Sequence, residues 1–117
     1  PERAHLPVER LDLAQIGMLR FKEPEPVRYP ALRLASEVMK IGGLSGAIFT
    51  AAKEEALDGF IAGALGFLQM ATIVEDVLSQ LCSDQSLIKA EISLDNVRQV
   101  DHLARKRASE AIRRLQA

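Results

Sequence analysis

Residues 42–75 read GGLSGAIFTAAKEEALDGFIAGALGFLQMATIVE, and the fold turns on this stretch. It holds every glycine of the chain except Gly17, together with the longest apolar runs. At about 100° per residue, Ile48, Phe49, Ala52, Ala56, Gly59 and Phe60 fall on one arc of a helix over residues 45–62. Leu57 and Ile61 widen that arc past half the circumference, and Glu54, Glu55 and Asp58 mark a solvent edge. An apolar face so wide belongs to a central element with neighbours on more than one side. Lys53 falls inside the apolar arc, where a snorkelling stem or a carboxylate partner must accommodate its ammonium.

Gly63 and Gly66 turn the chain out of that helix. The next helix, over residues 68–81, carries the stripe Met70, Ile73, Val74, Val77, Leu78 and Leu81, with Thr72, Glu75, Asp76 and Ser79 facing away. Upstream, Pro30 suits the first position of a helix, where its missing N–H has no consequence. Ala31, Leu34, Ala35 and Val38 then follow the i, i+3, i+4, i+7 spacing, and Gly42-Gly43 stops the helix. Downstream, residues 83–93 read as a polar loop. Ser93 is the expected N-cap of a short helix containing Leu94, Val97 and Val100. Asp101 is the expected N-cap of a last helix lined by Ala104, Ala108, Ala111, Ile112 and Leu115.

All five prolines lie at or before position 30. Residues 1–29 are therefore expected to be an extended linker arm, interrupted by one helical turn between Asp12 and Gly17. No segment alternates with period two. The expectation is an all-α fold, a C-terminal four-helix-type bundle over residues 30–117 preceded by a proline-rich arm.

Composition narrows the function. At 117 residues the chain supports one domain with a modest core, and 48% hydrophobic against 26% charged residues is globular rather than disordered composition. A formal net charge of -1 gives no reason to expect a nucleic-acid partner, and the arginines of RKRASEAIRR spread around the polar side of a C-terminal helix. The uncharged run 59–74 is too short and glycine-rich to span a membrane. Cys82, the single cysteine, fits a reducing compartment. No signal-peptide or lipidation motif is legible. His5 and His102 stand apart from any partner at metal-ligand spacing. GGLSG joins two helices and follows no strand, so it reads as a turn rather than a phosphate cradle. No catalytic, cofactor-binding or metal-binding residue can be assembled, which is the pattern of a helical accessory domain.

The order of several short motifs nonetheless resembles one family. RLDL followed by glycine, Phe21-x-x-Pro24-Glu25, RYPALRLA and the Gly42-Gly43 pair are similar to the C-terminal portion of 1-deoxy-D-xylulose 5-phosphate reductoisomerases. That family's N-A-A-N-E signature stands here as Thr50-Ala51-Ala52-Lys53-Glu54. Ala56, Phe60-Ile61, Phe67-Leu68-Gln69-Met70 and Val74-Glu75 follow, then Leu94-Asp95-Asn96-Val97 and Asp101-His102-Leu103-Ala104-Arg105. Thr50 and Lys53 replace the two asparagines, and Gln69 replaces the usual acid.

The resemblance implies an oxidoreductase and isomerase of non-mevalonate isoprenoid biosynthesis, in the bacterial cytoplasm and homodimeric. Such an enzyme converts its sugar phosphate to 2-C-methyl-D-erythritol 4-phosphate with NADPH and magnesium or manganese. It also implies that the nucleotide-binding and catalytic domains lie upstream, in keeping with a chain that begins at PERAH without Met. This chain would then hold no cofactor and be inactive alone. A stand-alone helical interaction module derived from the family is the alternative.

Overall fold

The computed structural model describes residues 4 and 6–116, in which six helices and no strand occur. The segment before Pro30 makes one helical turn, α1 (Leu13–Ile16), and its residues are exposed. The Asp12 carboxylate accepts from the backbone N–H of Ala14 (2.9 Å) and of Gln15 (3.2 Å), which caps that turn as expected.

The bundle proper consists of α2 (Pro30–Ile41), α3 (Ser45–Ile61), α4 (Phe67–Leu81), a single turn α5 (Gln85–Ile88) and α6 (Leu94–Gln116). Helix α3 is the centre, packing against α2, α4 and α6, while α4 also meets α6 and α2. Ile48, Ala51, Ala52 and Ala56 of α3, Val77 of α4 and Ala104 and Ala108 of α6 are completely buried. The small side chains let the helix axes approach. At Gly59 even a methyl group would press on Ile112 and Leu65.

The α2–α3 corner is made by two glycines at positive φ, Gly42 (68°) and Gly43 (57°). Ser45 then locks it. Its hydroxyl is fully buried and donates to the Gly42 carbonyl (2.6 Å), with the Val38 carbonyl at 3.1 Å. At the start of α4 the Gln69 amide oxygen reaches back to the N–H of Gly66 (2.6 Å), satisfying a donor that the helix start leaves free.

Three sequence expectations are corrected. Residues 83–93 are not simply a polar loop, because Asp84 caps α5, which drops Ile88 into the core. Asp101 is not an N-cap. Ser93 caps a single α6 that runs straight through it, its hydroxyl accepting from the Asn96 N–H (3.2 Å). Val100, Ala104, Ala108 and Ala111 form one uninterrupted buried stripe, so packing carries the helix across a cap-type residue. Glu55 does not belong to the solvent edge. It is half-buried and accepts a hydrogen bond from the Ser109 hydroxyl of α6.

Candidate functional site

Several charged residues of the bundle pair with one another. Arg105 of α6 reaches Glu54 of α3 (2.5 Å) and Asp101 one turn back (2.9 Å), and these two carboxylates raise its pKa above the usual guanidinium value. Arg33 of α2 reaches Glu75 of α4 (2.6 Å) and Glu37 (2.9 Å), and its pKa is raised by the same cause, with Glu75 first. Arg114 pairs with Asp76 (3.2 Å) and Arg107 with Glu110 (3.1 Å). The acidic cluster is thereby divided. Glu54 and Glu55 tie α3 to α6, and Asp58 stays exposed. These ion pairs are exposed or half-buried and stay within reach of water, so they serve register more than stability.

The remaining candidates stand apart from one another. Cys82 is half-buried and burial pushes its thiol pKa up, the opposite of an activated nucleophile. His102 is exposed on α6, and His5 lies outside the described residues. Among the described residues no three of His, Cys, Asp and Glu converge on a point that could hold a metal ion. No described helix is long and apolar enough to cross a membrane.

What the fold does leave open is a groove. It is a cavity of about 480 Å³ between the start of α2, the middle of α3 and the start of α4. Tyr29, Leu32, Phe49, Leu57, Phe67 and Leu68 line it. Phe67 stacks edge-on with Phe60 at 5.9 Å, extending the apolar surface along α3. Leu32 is 54% exposed, Phe67 68% and Leu68 76%, too much contiguous apolar surface for an ordinary water-facing wall. Two charged side chains line it, Arg28 and Lys53, and both are cations. Arg28 lies over the Tyr29 ring at 5.8 Å. Lys53 is exposed and lines the groove together with Phe49 and Leu57, which fits a snorkelling stem.

The sequence announced this surface only as an apolar arc wider than one neighbour could cover. Ile48, Ala52 and Ala56 went into the core, while Leu57, Phe60 and Ile61 stayed exposed. Ser45 and Gln69 also had signals, in their positions as the first residue of α3 and the third of α4. Neither was identified as structural from the sequence.

Fold and surface together define an all-α helical bundle domain with one apolar groove left uncovered among the described residues. Residues 1–107 match the family described as DXP reductoisomerase C-terminal domain, and the chain belongs to that family. It is 60% identical over 112 residues to the 1-deoxy-D-xylulose 5-phosphate reductoisomerase of Ruegeria pomeroyi, covering 96% of this chain and 28% of that protein. The Jannaschia enzyme of the same name is 55% identical over 114 residues, again with 29% of its length covered. The fold superposes with TM-score 0.77 and 34% identity on the Zymomonas mobilis reductoisomerase in complex with NADPH, covering 96% of this chain and 28% of that one. A reductoisomerase structure with fosmidomycin and magnesium gives TM-score 0.76 at 29% identity. The chain thus spans somewhat over a quarter of the length of the curated relatives it matches.

The motifs that carry the resemblance are now explicable as packing. Ala51 and Ala52 are fully buried in α3, and Glu54 meets the Asp101–Arg105 pair across the seam with α6. Arg33 of RYPALRLA meets Glu75 of the Val74-Glu75 signature across the α2–α4 seam. Thr50 and Lys53, which replace the family's asparagines, are both exposed, so neither replacement disturbs the core. Gln69 keeps an acceptor where the family has an acid, and uses it on the Gly66 N–H.

Proposed function

We propose that this chain is the C-terminal helical domain of a reductoisomerase. Such an enzyme rearranges 1-deoxy-D-xylulose 5-phosphate and reduces it to 2-C-methyl-D-erythritol 4-phosphate with NADPH. The observation that carries this reading is the family match over residues 1–107, joined to coverage of only 28% of the length of reductoisomerase relatives. Residues 1–29 act as the linker arm and residues 30–117 as the domain. The whole enzyme is homodimeric and works in the bacterial cytoplasm. The domain's part is mechanical: it packs on the upstream catalytic domain and supports it.

NADPH and a divalent cation, magnesium or manganese, belong to the upstream domains. The residues of this chain do not fit either group. The glycine pair at 42–43 joins two helices, with its φ angles committed to that corner, and the groove offers apolar walls with two cations rather than carboxylates. Convergent acidic ligands are missing among the described residues. We therefore assign no catalytic, cofactor-binding or metal-binding role to any residue here.

The test is NADPH consumption by the full-length protein with 1-deoxy-D-xylulose 5-phosphate and magnesium. Turnover supports the reading. A purified full-length protein that binds neither substrate nor NADPH would favour the alternative of a stand-alone interaction module.

A further inference from the structure

We propose that the groove between α2, α3 and α4 seats an apolar segment of the preceding domain of the same polypeptide, and that this segment presents a carboxylate to Lys53. The proposal rests on the reading of the chain as the C-terminal domain of a longer enzyme. It goes beyond that reading by naming the face that docks and the chemistry of what docks there.

Three observations converge on this occupant. The first is charge. Across the inter-helix seams Arg33 pairs with Glu75, Arg105 with Glu54 and Arg114 with Asp76. Arg28 and Lys53, the charged residues of the groove, are in none of the ion pairs among the described residues. Covering the groove with apolar side chains withdraws water from the Lys53 ammonium, an expensive step unless a carboxylate arrives with the cover. The complementary surface is therefore apolar with an acidic residue set into it.

The second observation is continuity. Arg28, Tyr29 and Pro30 form the rim of the groove, and they are also the point at which the chain enters the bundle. Further upstream the arm exposes Leu11, Leu13, Leu19 and Phe21. A domain attached at the far end of the arm is therefore held at high effective concentration over the groove.

The third point weighs against the symmetric competitor. Two copies of this chain meeting groove to groove about a two-fold axis would set Lys53 and Arg28 of one against those of the other, and like charges in a desolvated contact oppose association.

The experiment uses the full-length protein, mixed from unlabelled and ¹⁵N-labelled chains after exchange of subunits. Water-soluble carbodiimide joins an ammonium to a carboxylate only when the two touch, and peptide mass spectrometry reads the product. The expected product is an amide between Lys53 and an Asp or Glu outside residues 1–117 in the same isotopic chain. Acetylation of Lys53 is expected to be about tenfold slower than that of Lys89 and Lys106, because a docked side chain reacts only through local opening. Acetylation of Lys53 as fast as those two overturns the proposal. So does a link confined to residues 1–117, or one to the other isotopic chain, which would assign the groove to a second copy. NADPH turnover measured on the same preparation separates the two levels of inference. Turnover with a fast-reacting Lys53 removes the docking surface and leaves the reductoisomerase reading standing, whereas absence of turnover removes the reading and this proposal with it.

Discussion

Alanine at Gly43 tests the corner on which the bundle is built, and alanine at Gly46, three residues on, is its internal control. Gly43 sits at φ 57°, left-handed backbone in which a β-carbon costs roughly 1–2 kcal/mol. The added methyl also overlaps the Ile88 carbonyl oxygen, which accepts the Leu44 N–H at 3.4 Å. Moving that carbonyl sacrifices the hydrogen bond beside a buried leucine, for about 1–3 kcal/mol more, and it shifts α5 with its buried Ile88. The sum is a loss of about 3 kcal/mol. Gly46 lies in the first turn of α3 with open space where a β-carbon would go, so Gly46→Ala should gain up to about 1 kcal/mol from helix propensity alone. Urea melts of the 117-residue chain, analysed at constant m-value, read both changes. If Gly43→Ala lies within about 0.5 kcal/mol of the parent, the corner is not the constraint described here. The same is true if the two substitutions move stability in the same direction.

Ile48→Ala empties a fully buried position at the centre of α3 and should cost about 2–5 kcal/mol in the same melts, whereas a loss below about 1 kcal/mol would mean that α3 is not central. The Asp84 pKa is lowered, first by the Ser86 hydroxyl and then by the N–H groups of Leu87 and Ser86. A depressed carboxylate pKa stabilises the fold above the unfolded value of about 3.9, and the contribution disappears as pH falls through the folded value. Protection of the Ser86 and Leu87 amides, relative to their intrinsic exchange, should accordingly fall on acidification below about pH 4, and Asp84→Asn should abolish that dependence. Amides of residues 13–21 should exchange near the unprotected rate in the 117-residue chain, since α1 buries nothing; strong protection there in a monomer would show that the arm has a partner within the chain.

Local steric chemistry made much of the fold readable in the sequence. Pro30, the Gly42-Gly43 pair and Ser93 bound helices where the structure has them, because each acts within its own turn. Longer-range effects were less legible. Asp101 looks like a cap from its neighbours, but Arg105 takes its carboxylate and the buried stripe on both sides holds the helix together. Helix α5 is too short to show a period and declares itself only through Ile88, whose core contacts come from elsewhere in the chain. Glu55 is polar by type, and only the position of Ser109 on α6 reveals that it faces inward. The groove followed the same logic: the breadth of the α3 arc was visible, but which third of it stays uncovered depends on where α2 and α4 cross. Of the family motifs, Arg33, Glu75, Glu54 and Arg105 turned out to bridge the seams between helices, which only the crossing of those helices reveals.

The central claim is that this chain supports a reaction performed elsewhere in the polypeptide. Its most direct test is NADPH oxidation with 1-deoxy-D-xylulose 5-phosphate and magnesium, measured for the full-length protein and for the purified 117-residue chain, free of host enzyme. The account predicts turnover by the full-length protein and none by the chain alone; NADPH-dependent turnover by the 117-residue chain would contradict it.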